Sequence, residues 1–369
     1  MILRRYLVRE ILLSFFAVFI LLLLIYTSNR FVQYLSEAAA GNIGGDLIAA
    51  LVGLKLIKAL VLLVPLCLYL GIYIAVSRLR RDNEVTAMQG AGLGLRFFLQ
   101  GVLQVTAGFA VVVALLALYG APEVEGQINR LEAKARKDSD ITGISAGQFK
   151  ELSQGDRVIY VEDLNEDEHR MNNIFLRVRE EGQLWVLTSA EASLEKDKET
   201  GEPYAVFSDG QRYREAPGQV DYSIIEYKKY GIRLYRQDQE ESDLAPQAAF
   251  PEILWRAKDP AAQAELHWRI AMPIATVLLA LLAVLLALSL SQAYGYYSGL
   301  ITAVLIYFTY NNLLGIGRSL VKKGELPSYI GLWWVHALLL ACILGLIVYP
   351  ALRRWWVNTI EARRRRSPV

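Results

Sequence analysis

Basic side chains lie at the ends of several long apolar segments, where they could recognise an anion. Arg30 follows the first apolar segment. Lys55 and Lys58 lie in the first third of the second, and Arg318 lies at the end of the fifth. A guanidinium presents a planar fork of donors that matches a phosphate, and an ammonium is a compact positive charge. These residues could bind an anionic lipid head group, or they could extend their charged ends to the membrane interface without a ligand.

A second candidate site is a short helix in the basic stretch between the second and third apolar segments. The side chain of Asp82 or Asn83 could cap this helix by accepting hydrogen bonds from its free N–H groups. Glu84 would then lie in the first turn, where the helix dipole favours a negative charge. Gly90 and Gly92 would end the helix.

The apolar side chains of this short helix must be covered. Val85 and Met88 are three residues apart, so they share one face. A helix of this length is not stable alone in water. It must therefore dock either on the protein's own surface or on a partner, and the sequence leaves both possibilities open.

Residue patterns that catalysis or metal binding would require are missing from the sequence. No phosphate-binding G-x-x-x-x-G-K-S/T run, no H-E-x-x-H and no G-x-S-x-G occurs. His169, His267 and His336 lack the spacing of metal ligands, and Cys67 and Cys342 both fall in apolar segments. We therefore expect no catalytic residue, no metal, no cofactor and no nucleic-acid partner.

The elements that position these residues are apolar helices. Of the 369 residues, 54% are hydrophobic, and most of these fall in a few long runs. A helix needs about 20 apolar residues to cross a bilayer. The sequence therefore predicts a polytopic α-helical membrane protein with six transmembrane helices, at about Ile11–Ser28, Leu56–Val76, Phe97–Ala121, Trp268–Leu290, Ser298–Gly317 and Tyr329–Tyr349.

A water-soluble domain is inserted between the third and fourth apolar segments. Glu123–Lys137 is typical of a charged helical stalk, and Pro251–Glu265 is again helical in pattern. Between them, short alternating runs separated by turn residues such as Ser208–Gly210 indicate an all-β, jelly-roll-like domain. The predicted strands are Gly147–Leu152, Arg157–Leu164, Asn173–Glu180, Gln183–Leu194, Pro203–Phe207, Gln211–Glu215 and Gln219–Tyr230. We expect domains at 1–121, 122–265 and 266–369.

Basic residues near the segment ends predict the orientation, because cytoplasmic loops are enriched in Lys and Arg. The bias favours both termini in the cytoplasm and the β-domain outside. The residues that would lie on the cytoplasmic side are Arg4, Arg5, Arg9, Arg78, Arg80, Arg81, Arg96, Arg353, Arg354 and Arg363–Arg366.

Four runs of residues resemble the LptF/LptG permease family in order and spacing. They are Arg5–Glu10, Leu63–Gly71, Glu84–Gly92 and Ala264–Ile270. The resemblance covers essentially the whole chain, and the first and last of these runs are more similar to the LptF branch. It implies a permease subunit of an ATP-driven, ABC-type exporter that extracts lipopolysaccharide from the bacterial inner membrane and passes it to a periplasmic bridge.

The resemblance also implies partners and site residues. The partners are an LptG-type permease, an LptB-type ATPase dimer that hydrolyses ATP, and LptC- and LptA-type periplasmic β-jelly-roll proteins. The helix at about 82–92 would be the coupling helix that enters a groove of the ATPase, with Glu84 as its acidic residue. Arg30 would lie near the lipid A phosphates, and a second basic position of the family is Gln33 here. The first, second and fifth spans would line the lipid cavity, which gives the lipid-binding candidates Arg30, Gln33, Lys55, Lys58, Leu305, Phe308, Asn311 and Arg318.

An alternative from another class of function is a non-transporting membrane scaffold or sensor. Its periplasmic β-domain would bind a protein, and its cytoplasmic loop would dock a regulator. Such a protein would have no need of cations around an intramembrane cavity, so capture of lipopolysaccharide at these positions separates the two hypotheses.

Overall fold

The computed structural model describes residues 2–39, 44–142, 146–152, 157–165, 170–180, 183–196, 203–215, 222–233, 246–289 and 296–348. These residues fall into two compact units. A helical unit takes its described residues from Met1–Leu35, Ile48–Leu131 and Leu244–Val369. A second unit takes its described residues from Ser36–Leu47 and Glu132–Asp243 and contains a β-sheet. The basic tail, His169 and most of the predicted turns lie outside the described residues.

Apolar helices dominate the first unit. In chain order the described helices are α1 (Ile2–Ala39), α2 (Ile48–Arg81), α3 (Glu84–Gly90), α4 (Leu95–Leu115), α5 (Ala121–Thr142), α6 (Pro251–Arg256), α7 (Pro260–Ser289), α8 (Tyr296–Lys322) and α9 (333–348). A π-helical turn at Leu116–Gly120 joins α4 to α5. Within the described residues, five helices are long and apolar enough to cross a membrane, namely α1, α2, the joined α4 and α5, α7 and α8, and α9 is a shorter apolar helix. The predicted helical membrane fold is confirmed.

Helices α7 and α2 form the centre of the helical unit. In the most apolar stretch of α7, 67% of the residues are buried, and in that of α2 the share is 56%. The corresponding shares are 11% in α1 and 28% in α8. Small side chains let neighbouring helices approach α7 closely, and its buried alanines include Ala271, Ala275, Ala280, Ala283 and Ala287. Helices α1 and α8 therefore lie at the periphery and keep large apolar faces uncovered by this chain.

The second unit contains one antiparallel sheet with strands in sequence order. The strands are β1 (Phe149–Leu152), β2 (Arg157–Asn165), β3 (Arg170–Glu180), β4 (Gln183–Lys196), β5 (Pro203–Glu215) and β6 (Tyr222–Arg233). The inserted β-domain expected from the sequence is confirmed. Its described strands are connected as an up-and-down meander, without the Greek-key crossover of a jelly roll. One face of the sheet is an apolar core that includes Val161, Leu176, Trp185, Leu187 and Phe207.

The predicted turn at Ser208–Gly210 is wrong, because strand β5 runs through it. Asp209 has φ 51°, which accounts for the turn-like composition of this stretch. The ladder to β4 continues on both sides, with Ser189 opposite Gly210 and Glu191 opposite Ser208. Asp209 thus adopts the left-handed conformation inside a paired strand, whereas the sequence predicted a turn at this point.

The irregularity in β5 belongs to a row of residues that crosses strands β2 to β6. Asn173 in β3 also has positive φ, at 49°. The register places five residues in one row across strands β2 to β6: Glu162, Asn173, Ala190, Asp209 and Lys228. In β3 and β4 the buried positions shift by one residue at this row, from Met171 to Ile174 and from Ser189 to Ala192. The strict alternation expected of a strand therefore holds only on either side of it.

Gly210 is a position where a side chain cannot be added without moving the sheet. A Cβ there would lie 2.2 Å from the carbonyl oxygen of Thr188 and 2.4 Å from the hydroxyl of Tyr227. We expect Gly210→Ala to destabilise the β-domain by about 1–3 kcal/mol through overpacking. Amide hydrogen exchange in β4 and β5 should become faster. Gly231→Ala, whose Cβ would meet nothing within 4 Å, is the control, and equal exchange in the two variants would contradict the prediction.

Candidate functional site

The short helix α3 forms at the predicted place, but its predicted side-chain cap does not. Asn83 occupies the N-cap position with φ 62°, and its side chain makes no capping hydrogen bond. The chain thus passes from α2 to α3 through a residue in the left-handed conformation. The end of the helix is as predicted, since it stops at Gly90 and Gly92 has φ 86°. There the N–H of Leu93 donates to the carbonyl of Met88 at 3.0 Å.

The apolar face of α3 docks on the protein's own helical unit. Val85 is 3% exposed and Met88 is 6% exposed, and both belong to the large core cluster. The sequence left open whether a partner or the chain itself covers this face, and the structure answers that the chain does. The opposite face, which includes Thr86, Ala87 and Gln89, is exposed. Val85 and Met88 therefore hold the helix in place, and a partner would meet the other face.

Glu84 lies at the edge of this docked helix and contacts the start of α1. The hydroxyl of Tyr6 donates to Oε1 of Glu84 at 3.1 Å. One helical turn further along α1, Glu10 pairs with Arg78 at the end of α2. Glu10 is only 9% exposed. The first turns of α1 are thus tied by polar contacts both to α3 and to the helix that precedes it.

Arg30 is held by neighbours on its own helix. Its Nε donates to the hydroxyl of Tyr26 at 3.2 Å, and its Nη1 donates to Oε1 of Gln33 at 2.7 Å. The guanidinium also lies 5.3 Å from the centre of the Tyr26 ring. Both hydrogen-bond partners are neutral, so they orient the cation without offsetting its charge. The Tyr26 hydroxyl also donates to the backbone carbonyl of Lys55 at 3.3 Å, which joins this group to α2.

Two of the other candidate cations are paired with carboxylates inside the helical unit. Nζ of Lys58 lies 2.6 Å from Oε2 of Glu125 on α5. Arg318 pairs with Glu265 on α7 and stacks over the ring of Trp268 at 4.9 Å. The charges of Lys58 and Arg318 are therefore offset within the protein. Arg30 differs from them, because its polar neighbours Tyr26 and Gln33 are uncharged.

The carboxylate of Glu265 also belongs to a buried network centred on Arg269. The side chain of Arg269 is 2% exposed, and its Nε donates to Oε1 of Glu265 at 2.9 Å. Its two terminal nitrogens donate to the carbonyls of Ala249 at 2.7 Å, Gln247 at 2.8 Å and Pro246 at 3.1 Å. This network fastens the segment before α6 to α7.

Helix α8 presents an uncovered apolar face that includes two of the candidates. Leu305 is 60% exposed and Phe308 is 55% exposed. Asn311 lies half-buried on the next turn. Tyr307 and Tyr310 on the opposite face are buried against the rest of the unit. An apolar face of this kind must be covered by lipid chains or by another membrane protein.

The comparison with known families now identifies the chain. The family model for the lipopolysaccharide export system permease LptF/LptG matches residues 5–349. The chain belongs to the LptF/LptG family. Curated LptF proteins of Escherichia coli strain K12 and of Shigella flexneri are each 25% identical over 379 aligned residues, which span 100% of this chain and 98% of the relative. The resemblance read from the four sequence runs is confirmed.

Membership in the LptF/LptG family makes the chain a multi-pass inner-membrane protein of a lipopolysaccharide export permease family. Among the predicted lipid-binding residues, the structure brings Arg30, Gln33 and the backbone of Lys55 together. It places Lys58 and Arg318 in separate ion pairs, and it places Leu305 and Phe308 on an open helix face.

Sequence reasoning missed the residues that organise these sites, namely Tyr6, Glu10, Arg78, Glu125, Glu265 and Arg269. A usable signal existed for some of them. Tyr6 and Glu10 are four residues apart at the start of an apolar helix, and Glu265 and Arg269 are four apart at the start of another. Acids and bases at this spacing on a helix lie on one face. An acid at the edge of a membrane span generally needs a partner.

Proposed function

We propose that this chain is the permease subunit of an ATP-driven, ABC-type exporter that extracts lipopolysaccharide from the inner membrane and delivers it to a periplasmic bridge. ATP would be hydrolysed by a separate LptB-type dimer. An LptG-type chain would supply the second permease, and LptC- and LptA-type proteins would form the bridge. In this arrangement both termini are cytoplasmic and the β-domain is periplasmic.

The arrangement of helix α3 is the observation that carries the proposal. Its apolar residues Val85 and Met88 are buried in the core of this chain, so the helix is fixed to the membrane unit. Its outer face is exposed and includes the polar side chains of Thr86 and Gln89, with the carboxylate of Glu84 at one edge. A rigidly mounted helix with an exposed face and one charge suits a protein partner that pushes or pulls on the membrane unit. A chain of this kind needs no nucleotide motif of its own.

The chemistry around α1 suits an anionic amphiphile. Arg30 offers a positive charge whose hydrogen-bond partners are neutral, and a guanidinium matches a phosphate in geometry. Next to it, α1 exposes a series of large apolar side chains that can receive acyl chains, among them Phe16, Ile20, Leu24, Ile25 and Val32. Together with the exposed face of α8, these would form this chain's share of a lipid cavity, and Gln33, Lys55, Lys58, Asn311 and Arg318 would border it.

The three segments of the chain receive separate roles in this proposal. Segment 1–121 would carry the coupling helix and part of the cavity, and segment 266–369 would supply the remaining spans, including α8. Segment 122–265 would pass the lipid onward. An apolar sheet face such as the one around Leu176, Leu187 and Phe207 can shield acyl chains from water.

Reconstitution with an LptB-type ATPase, an LptG-type permease and lipopolysaccharide tests the proposal. We expect the complex to release the lipid only with ATP. Glu84→Ala should lower this release at least tenfold, because losing one partner of an interfacial charge pair is costly. Glu252→Ala is a matched control, since Glu252 is also a glutamate in the first turn of a short helix. A Glu84→Ala complex that assembles and transports like the control would contradict the coupling role. Failure of the wild-type chain to bind the ATPase would favour the scaffold hypothesis.

A further inference from the structure

Helix α1 is attached to its own chain unevenly along its length. Its buried residues are Leu7, Glu10, Ile11 and Phe15 near one end and Tyr34 near the other. Between Phe15 and Tyr34 about five helical turns contain no buried side chain. One end of the helix is therefore packed into the core, whereas its long middle part contacts the core only through partly buried side chains such as Val18, Phe19 and Leu22.

The packed end has a junction at which two helix backbones touch. A Cβ on Gly71 of α2 would lie 2.8 Å from both the Cα and the backbone nitrogen of Phe15. A Cβ on Gly101 of α4 would similarly meet Cδ2 of Leu7 at 2.8 Å. Glycine is required at position 71, because any side chain there would meet the backbone of α1, whereas the contact at Gly101 is with the end of a flexible side chain. Backbone contact over a single residue gives a small fulcrum rather than a broad, rigid interface.

Polar contacts join the end of α1 beyond this fulcrum to the candidate coupling helix and to the end of α2. Tyr6 donates to Glu84, and Glu10 pairs with Arg78. On the other side of the fulcrum lie Tyr26 and Arg30. The same helix thus contacts Glu84 at one end and carries the guanidinium of Arg30, held by neutral partners, at the other.

We propose that α1 is a lever that pivots at Gly71 and transmits displacement of α3 to Arg30, with Tyr6 and Glu10 as the positioning residues of its short arm. This inference rests on the proposed function, because it assigns a path for the coupling that the proposed function requires. A helix rises 1.5 Å per residue. The nine residues from Tyr6 to Phe15 then span about 13 Å and the fifteen from Phe15 to Arg30 about 22 Å, so displacement at Tyr6 is enlarged about 1.7-fold at Arg30.

Tyr26 is the point at which the long arm is released. Its hydroxyl donates to the backbone carbonyl of Lys55 at 3.3 Å, which is a long hydrogen bond. Such a contact can break at modest cost when the arm tilts. Tilting would then carry Arg30 and Gln33 away from α2 together, because their mutual hydrogen bond lies within α1.

Paired variants in the reconstituted complex test the lever. Tyr6→Phe keeps the ring and removes only the hydroxyl that reaches Glu84. We expect ATP hydrolysis to stay within about twofold of wild type, while lipopolysaccharide released per ATP falls about fivefold, in line with the loss of one hydrogen bond to a charged group. A role in folding alone would leave the ratio of release to hydrolysis unchanged.

The motion itself can be measured by double electron–electron resonance, which gives the distance between nitroxide labels attached at Phe31→Cys and Ile316→Cys. The exposed thiol of Cys342 is first removed by Cys342→Ser. Both labelled positions are exposed. We expect ATP to shift this distance in wild type and to shift it by less than half as much in Tyr6→Phe and Gly71→Ala. Gly53→Ala, also on α2 but with nothing within 4 Å of its Cβ, should behave as wild type.

The outcomes separate the two levels of inference. An active wild-type complex in which Tyr6→Phe and Gly71→Ala both keep the full distance change and the full release per ATP would overturn the lever and leave the proposed function intact. A wild-type chain that neither binds the ATPase nor releases lipid would overturn the proposed function itself.

Discussion

Replacing Arg269 with methionine should lower the free energy of unfolding of the helical unit by about 3–5 kcal/mol, the cost of breaking a buried ion pair. The side chain of Arg269 is 2% exposed and donates to Glu265 and to the carbonyls of Ala249, Gln247 and Pro246. Methionine fills a similar volume but donates nothing. Three carbonyls and one carboxylate oxygen would then be left without this donor, and Arg318 could satisfy only the other oxygen of Glu265.

The measurement is thermal unfolding of the purified chain in lipid nanodiscs, together with amide hydrogen exchange at 247–256. We expect the segment before α6 to exchange fastest, because three of its carbonyls lose the hydrogen bonds from Arg269. Arg256→Met is the control, since Arg256 is an exposed arginine on α6 itself. Arg269→Lys should recover only part of the stability, because an ammonium cannot reach four acceptors in the plane that a guanidinium covers. A methionine variant as stable as the control would show that the network contributes no net stability.

Local patterns in the sequence were sufficient for the bounds of a few elements, among them helix α3 and strand β2. Helix α3 begins at Glu84 and ends at Gly90 because a dipole-favoured acid starts it and glycines stop it. Strand β2 covers its predicted span with one added residue, because alternation over Val158–Val161 is a local signal. The same reasoning wrongly predicted a turn at Ser208–Gly210, because these turn-forming residue types lie in a strand that is paired on both edges.

The partners of the site residues could not be read from local patterns. Lys58 pairs with Glu125 across 67 positions, Arg318 with Glu265 across 53, and Tyr6 with Glu84 across 78. Such pairs are set by how the helices pack, and helix packing depends on buried alanines and glycines whose contacts no single segment reveals. The same limit applies to the covering of Val85 and Met88. The sequence showed that their face must dock, and only the packed structure shows where.

Replacing Arg30 with glutamate should weaken lipopolysaccharide binding about a hundredfold, and replacing it with alanine about tenfold. Alanine removes one charge-assisted hydrogen bond. Glutamate also places a negative charge beside the phosphates, and like charges a few ångströms apart repel strongly near a membrane surface. The neighbours Tyr26 and Gln33 are neutral and cannot offset the added charge. The ranking of the two variants is therefore the test of an electrostatic role.

Binding can be followed without ATP by photocrosslinking of lipopolysaccharide to a probe placed at Leu305, which is 60% exposed on α8. Arg9→Glu makes the same charge change on an exposed residue near the opposite end of α1, and it should leave capture unchanged. Capture that falls equally in Arg30→Ala and Arg30→Glu would assign Arg30 a steric role. Undiminished capture in both would remove Arg30 from the lipid site and leave the exposed apolar faces of α1 and α8 as the features that bind the acyl chains. The graded loss is the result expected if a single guanidinium, held by neutral partners, meets the phosphate.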